Sequence, residues 1–250
     1  MIRLILGLAL LPTAALTVFA AAQSLGALLA HAPSAWPFLA GAGAAAGLWL
    51  LGLAAEGRGR AGGARALRAL RWIYVFGHEF THVLAAWSIG AEVHGMEVRS
   101  DGGHVDLSRS GTFISLAPYC VPIYTVLVVV GYRLLQWLAP GRLGLGVFLA
   151  LMGATLAGHL FMTAECLWQR RQPDLAAAGG VVFSLAVIAL CNGLVVMALT
   201  KALFPRAVAM AGPLRQVLHL SAGFWAWNYR FLKGALGPIK KGYPGLWRPS

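Results

Sequence analysis

From Leu4 to Ala30 the chain runs without a charged residue, and comparable apolar runs recur along it: Trp36–Ala55, Trp72–Ile89, Thr112–Leu138, Leu143–Trp168 and Leu175–Phe204. A helix needs about 20 predominantly apolar residues to cross a bilayer. Six such stretches predict an all-α polytopic membrane protein with about six transmembrane helices. The overall composition, 59% hydrophobic and 11% charged, excludes an ordinary soluble domain. A cleaved signal peptide is disfavoured for the first run, which is too long and lacks a small-residue cleavage site before a polar domain.

Charge between the runs sets the expected orientation. Glu56–Arg71 carries Arg58, Arg60, Arg65, Arg68 and Arg71 against one glutamate. By the positive-inside rule this loop is cytoplasmic, which places both termini on that side. Arg142 falls in the next inside loop on this reading, and the tail beyond Lys201 is basic and free of acids. The net charge of +12 therefore belongs to membrane-flanking segments, and no nucleic-acid partner is expected. The division is into a six-span domain, 1–204, and a tail, 205–250. That tail interleaves Trp225, Trp227, Tyr229, Phe231 and Trp247 with Arg215, Arg230, Lys233, Lys240 and Lys241, a pattern suited to lying along the headgroup layer. Cys120, Cys166 and Cys191 form no CxxC and suggest neither a disulfide frame nor a thiolate metal site.

Inside the third apolar run stands Gly77-His78-Glu79-Phe80-Thr81-His82. On a helix spanning 71–90 the two histidines lie one turn apart on one face, able to take two corners of a tetrahedral zinc site. Glu79 sits beside them. This is the HExxH arrangement in which zinc lowers the pKa of a water and the glutamate takes its proton. The segment that follows, 91–111, is polar and holds Asp101-Gly102 between two alternating stretches. It reads as a short β-hairpin on the face opposite the arginine loop, carrying four of the eight acidic residues.

Zinc requires a third protein ligand and an open position for water. Depth points to His159: a helix starting near Arg71 puts His82 roughly 17 Å in, and one starting near Leu143 puts His159 roughly 24 Å from the same end. His159 also heads a polar stripe with Thr155, Thr163 and Cys166.

A membrane-embedded HExxH, a hairpin-like loop and a later Pro-Asp at the start of an apolar helix resemble the site-2 protease family of intramembrane zinc metalloproteases. In that family the third ligand is an aspartate in an Asn-Pro-Asp-Gly or Leu-Asp-Gly motif. Gln172-Pro173-Asp174-Leu175 is similar, with Gln for Asn and Leu for Gly. The resemblance implies His78 and His82 as metal ligands, Glu79 as catalytic base and Asp174 as third ligand. Depth counts against Asp174, which follows Arg170 and Arg171 at the far interface, so His159 and Asp174 both stand as candidates, one coordinating and the other orienting. Asn192, five helical turns after Asp174, resembles the asparagine these proteases use to hold the substrate carbonyl; an interhelical hydrogen bond is the other reading.

The expected activity is hydrolysis of a peptide bond in a membrane protein or membrane-associated peptide by zinc-activated water, with Zn2+ as cofactor and the bilayer as surroundings. The resemblance includes bacterial relatives and points to an inner membrane. Two alternatives from other classes are a non-proteolytic zinc-binding membrane protein and a zinc hydrolase of a lipid or modified peptide.

Overall fold

The structure, a computed structural model, describes residues 1–57, 61–169 and 172–242. Arg58, Arg60, Arg170, Arg171 and Trp247 of the sequence reading lie outside the described residues, as do the side chains of Lys240 and Lys241. Among the described residues the secondary structure is helical but for one hairpin. It runs α1 (Ile2–Ala30), α2 (Ala32–Gly57), α3 (Ala61–Ser88), β1 (Val93–Arg99), β2 (Gly102–Leu107), α4 (Thr112–Cys120), α5 (Ile123–Leu138), α6 (Leu145–Gln169), α7 (Pro173–Ala178), α8 (Val181–Leu203) and α9 (Ala211–Gly242).

Two tightly packed helix pairs form the scaffold, and small residues make both possible, since in lipid close backbone approach takes over from the hydrophobic effect as the source of helix association. Along α1 and α8, Gly7 lies against the Phe183 backbone and Gly193 against Thr17. Along α2 and α6, Gly41 lies against the Ala150 carbonyl and Gly153 against that of Phe38, while Trp49 stacks on Phe161 with ring centroids 5.4 Å apart. These contacts make each pair parallel. A shared core of Ala20, Leu28, Phe38, Met152, Leu156 and Met197 joins them and continues past residue 204 through Val208 and Val217. Outside, Ile5, Phe19, Leu51 and Trp137 are exposed, an apolar surface of the kind lipid covers.

Among the described residues, α1, α2, α6 and α8 are long and apolar enough to cross a membrane, and α4 with α5 makes a fifth span if the bent pair is taken as one. Those two helices meet at a 68° break; Pro122 has no N–H to continue the helical ladder. The motif helix α3 is not in this group. Its first half carries Arg65, Arg68 and Arg71, charges too costly for mid-bilayer.

The parallel pairing corrects the expected layout. Because α6 runs alongside α2, its C-terminal end arrives where α3 begins: Glu165 accepts hydrogen bonds from Trp49 Nε1 at 2.5 Å and Arg71 Nε at 3.0 Å. Arg3 and Thr112 both donate to the Ala178 carbonyl, at 3.1 and 2.8 Å. The starts of α1, α3, α4 and α8 and the ends of α2 and α6 thus share one end of the bundle. At the other end lie the α1–α2 turn, the α5–α6 turn with Arg142, and Phe204, whose ring meets Phe38 at 5.7 Å. Arg142 is therefore not on the side of the arginine loop. Nor does the tail begin by lying apart from the bundle: α9 turns back along α1, with Thr13 Oγ1 and Ser221 Oγ 3.1 Å apart.

The hairpin is antiparallel, with Glu97 opposite His104 and Arg99 opposite Gly102, and a register irregularity between Val93 and Gly95. It folds back beside α3, its base packed with Ala85, Ala86, Ile114 and Ala117 through Val93 and Leu107. Residues 100–107 consequently line the same cavity as Arg68 and Arg71, where the sequence placed hairpin and arginines on opposite faces.

Candidate metal centre

His78 and His82 project from one face of α3, one turn apart, with ring centroids separated by 5.0 Å. Opposite them is Asp174, in the first turn of α7. This short helix is set by Pro173, whose fixed φ suits a first helical position, and stopped by Gly179 and Gly180, both at positive φ. His78 Nε2 lies 3.6 Å and His82 Nε2 3.5 Å from the same oxygen, Asp174 Oδ2. Ligand atoms held about 2.0–2.1 Å from a tetrahedral ion stand roughly 3.3 Å apart. His78, His82 and Asp174 offer donor atoms all within 4.8 Å of one another, and this set can hold a metal ion.

The surroundings fit that use. His82 Nδ1 lies 2.9 Å from the Ile114 carbonyl; donating there fixes the ring and leaves the Nε2 lone pair for a ligand, the arrangement usual for metal-binding histidines. His78 Nδ1 is buried without a hydrogen-bond partner among the described residues. Its ring is placed by packing instead, edge to face with Tyr119 at 4.7 Å. Asp174 Oδ2 also accepts a hydrogen bond from the Tyr119 hydroxyl at 3.1 Å.

Glu79 is buried between α3 and the hairpin. A Cβ added to Gly103 would come within 2.7 Å of Glu79 Cγ and 2.9 Å of its Oε1, so strand β2 approaches the carboxylate as closely as only glycine permits. The cavity in front of these groups has a volume of about 770 Å³. One wall is α3 from Arg68 to His82, another is the hairpin, and Glu165, Gln172 and Asp174 contribute from α6 and α7.

The two candidates for third ligand are thus separated in space. His159 does not join the donor set: its Nε2 lies 3.2 Å from Asn192 Oδ1. The depth argument that favoured it took α6 to start on the arginine side, whereas α6 ends there. Asn192 lies outside the cavity wall, and its amide donates to the carbonyls of Tyr119 at 2.7 Å and Ile188 at 2.9 Å. It makes the interhelical hydrogen bond that was its other reading.

Three participants were not singled out from sequence. Tyr119, fully buried, carried a usable signal, because a tyrosine in an apolar span needs a partner for its hydroxyl. Gly103 reads in sequence only as a turn residue. The Arg71–Glu165 pair, joined by Trp49, ties α3 to α6 and α2, and nothing in one sequence names the two as partners. Comparison with protein-family models, with curated proteins and with solved structures finds no match for this chain.

Proposed function

We propose that the protein is an intramembrane zinc metalloprotease of the site-2 protease kind, cleaving a peptide bond in a membrane-associated substrate. The observation that carries this reading is the placement of Glu79 at the edge of a two-histidine, one-aspartate donor set that opens onto a cavity walled by strand backbone. Two imidazoles and a carboxylate suit zinc, and three protein ligands leave a position for chemistry. Zinc held there supplies Lewis acidity, lowering the pKa of water and polarising a carbonyl.

His78, His82 and Asp174 hold the metal. Glu79 takes the proton of the attacking water and returns it to the leaving amine. A peptide bond inside a helix is shielded by its own hydrogen bonds, so the substrate must be extended before attack. Strand β2 pairs with β1 on one side only and lines the cavity. Its free edge offers main-chain groups to such a segment by strand addition. By the positive-inside rule, the end carrying Arg3, Arg65, Arg68 and Arg71 faces the cytoplasm, in a bacterial inner membrane. Six spans then comprise five crossings plus α3, which enters and leaves on that same side.

The test compares wild type with Glu79→Gln, both reconstituted in vesicles with a panel of transmembrane peptides. Wild type is expected to cleave at least one peptide and Glu79→Gln to retain zinc while losing 10²- to 10⁴-fold in rate, the usual contribution of a general base. Equal cleavage by both proteins overturns the mechanism. Release of lipid fragments without peptide cleavage would assign the site to a lipid hydrolase instead.

A further inference from the structure

We infer that Tyr119 is a positioning residue for Asp174 and that Asn192 and His159 hold Tyr119 in place. The inference rests on the metal site proposed above and not on proteolysis.

Asp174 needs external restraint. It sits on a six-residue helix flanked by Gly179 and Gly180, its side chain is 26% exposed to the cavity, and nothing in α7 itself fixes the direction of its carboxylate. The Tyr119 hydroxyl supplies that restraint. It donates to Oδ2, the oxygen that faces both histidines, and a hydrogen bond to an ionised acceptor is roughly twice as strong as a neutral one. The same hydroxyl lies 3.4 Å from Gln172 Oε1. It has one proton to give, and the carboxylate is the nearer and stronger acceptor. Gln172 is itself tied down, donating through Nε2 to the Cys166 carbonyl at 3.1 Å.

Tyr119 also orients a second ligand. Its ring packs edge to face on His78, the histidine whose Nδ1 has no hydrogen-bond partner among the described residues. One side chain therefore governs two of the three ligands, through its hydroxyl and through its ring.

What holds Tyr119 comes from the far side of the bundle. It is next to last in α4, where the helix has run out of N–H groups to satisfy its final carbonyls. Asn192 of α8 caps the Tyr119 carbonyl at 2.7 Å and spends its other amide hydrogen on Ile188. Its Oδ1 faces His159 Nε2 of α6 at 3.2 Å, so His159 donates there and sets which way the amide points. Polar groups on α6 and α8, costly in a bundle of this kind, thereby fix the end of α4 against α7. Partners standing one step behind metal ligands typically govern 10- to 100-fold in metal affinity.

The experiment measures zinc affinity of the purified full chain by competition with a chelating dye. Tyr119→Phe keeps the ring and loses the hydroxyl; a 10- to 100-fold weaker affinity is expected, with unchanged helix content and unchanged thermal unfolding of the metal-free protein. In an Asp174→Ala background the same substitution should cost nothing further. Wild-type affinity in Tyr119→Phe overturns the inference, and so does an equal loss with and without Asp174, which would mark a general packing effect. Asn192→Ala should weaken zinc a few-fold in wild type and by a smaller factor in Tyr119→Phe, where only the ring contact with His78 is left to hold; an equal loss in both, or no loss in wild type, removes the role assigned to Asn192 and His159. Absence of peptide cleavage by the wild-type protein would sink the protease reading and leave these affinities untouched.

Discussion

Two clusters of polar side chains lie within the apolar bundle, and they are built differently. Around His159 the polar groups pair with one another or with backbone: imidazole Nε2 to Asn192, Asn192 to two carbonyls, Thr125 to Thr155 at 3.1 Å. Around His78, ligand atoms of three side chains converge within 4.8 Å of one another. Two imidazole nitrogens face one carboxylate oxygen at distances longer than a hydrogen bond, a third nitrogen is buried and unpartnered, and a cavity opens in front. Buried polar groups are normally satisfied. The first cluster is paired within itself, whereas His78, His82 and Asp174 of the second form a set that can hold a metal ion.

The sharpest way to break this contrast is to remove one member of each cluster and count metal. Asp174→Ala should abolish stoichiometric zinc in the purified protein, because two histidines alone leave a tetrahedral site half filled. His159→Ala should retain one zinc per chain. Elemental analysis decides it, and zinc lost from His159→Ala but kept in Asp174→Ala would invert the comparison.

A smaller effect is expected where the site meets the hairpin. Gly103→Ala puts a methyl group against Glu79 and against the Glu97 carbonyl, 2.6 Å away, so the hairpin or the carboxylate must move. No ligand is touched, and zinc content should stay as in wild type. Peptide cleavage should fall about 10- to 100-fold, since displacing a reacting group by an ångström carries a cost of that order. Full activity in Gly103→Ala would show that strand β2 does not position the base.

The α3 half of the candidate site was legible in the sequence because it is local: His78 and His82 are one turn apart on any helix, and Glu79 is fixed beside them. The membrane class was equally plain from the uncharged runs, and the hairpin from Asp101-Gly102. The residue that stands opposite the two histidines was not, because it depends on which end of the bundle α6 reaches. Counting alternate crossings sent α6 from the arginine side to the far one; the glycines at 41 and 153 instead let it lie parallel to α2, bringing Glu165 to Arg71 and Asp174 to the histidines. Periodicity reports the face of a helix but not its direction. That direction was set by α3, which leaves from the arginine end while the chain returns there at Thr112. A resemblance in Pro173-Asp174 therefore pointed to the residue that stands at the site where the depth argument did not.

The smallest predicted effect tests the structural cluster on its own terms. Thr125 Oγ1 donates to Thr155 Oγ1, and Thr155 Oγ1 donates in turn to the Leu151 carbonyl at 2.8 Å. Thr125→Val preserves the shape of a fully buried side chain and deletes only the hydroxyl, leaving Thr155 satisfied by its own helix. The cost should be near the average of about 0.6 kcal/mol for interhelical hydrogen bonds in membrane proteins, with zinc affinity unchanged. Denaturant titration in mixed micelles reads the first quantity and dye competition the second. A loss of several kcal/mol would mean that the network around His159 is cooperative beyond its pairwise bonds, and a drop in zinc affinity would mean that the Thr125–Thr155 contact, and not Asn192 alone, bears on the donor set.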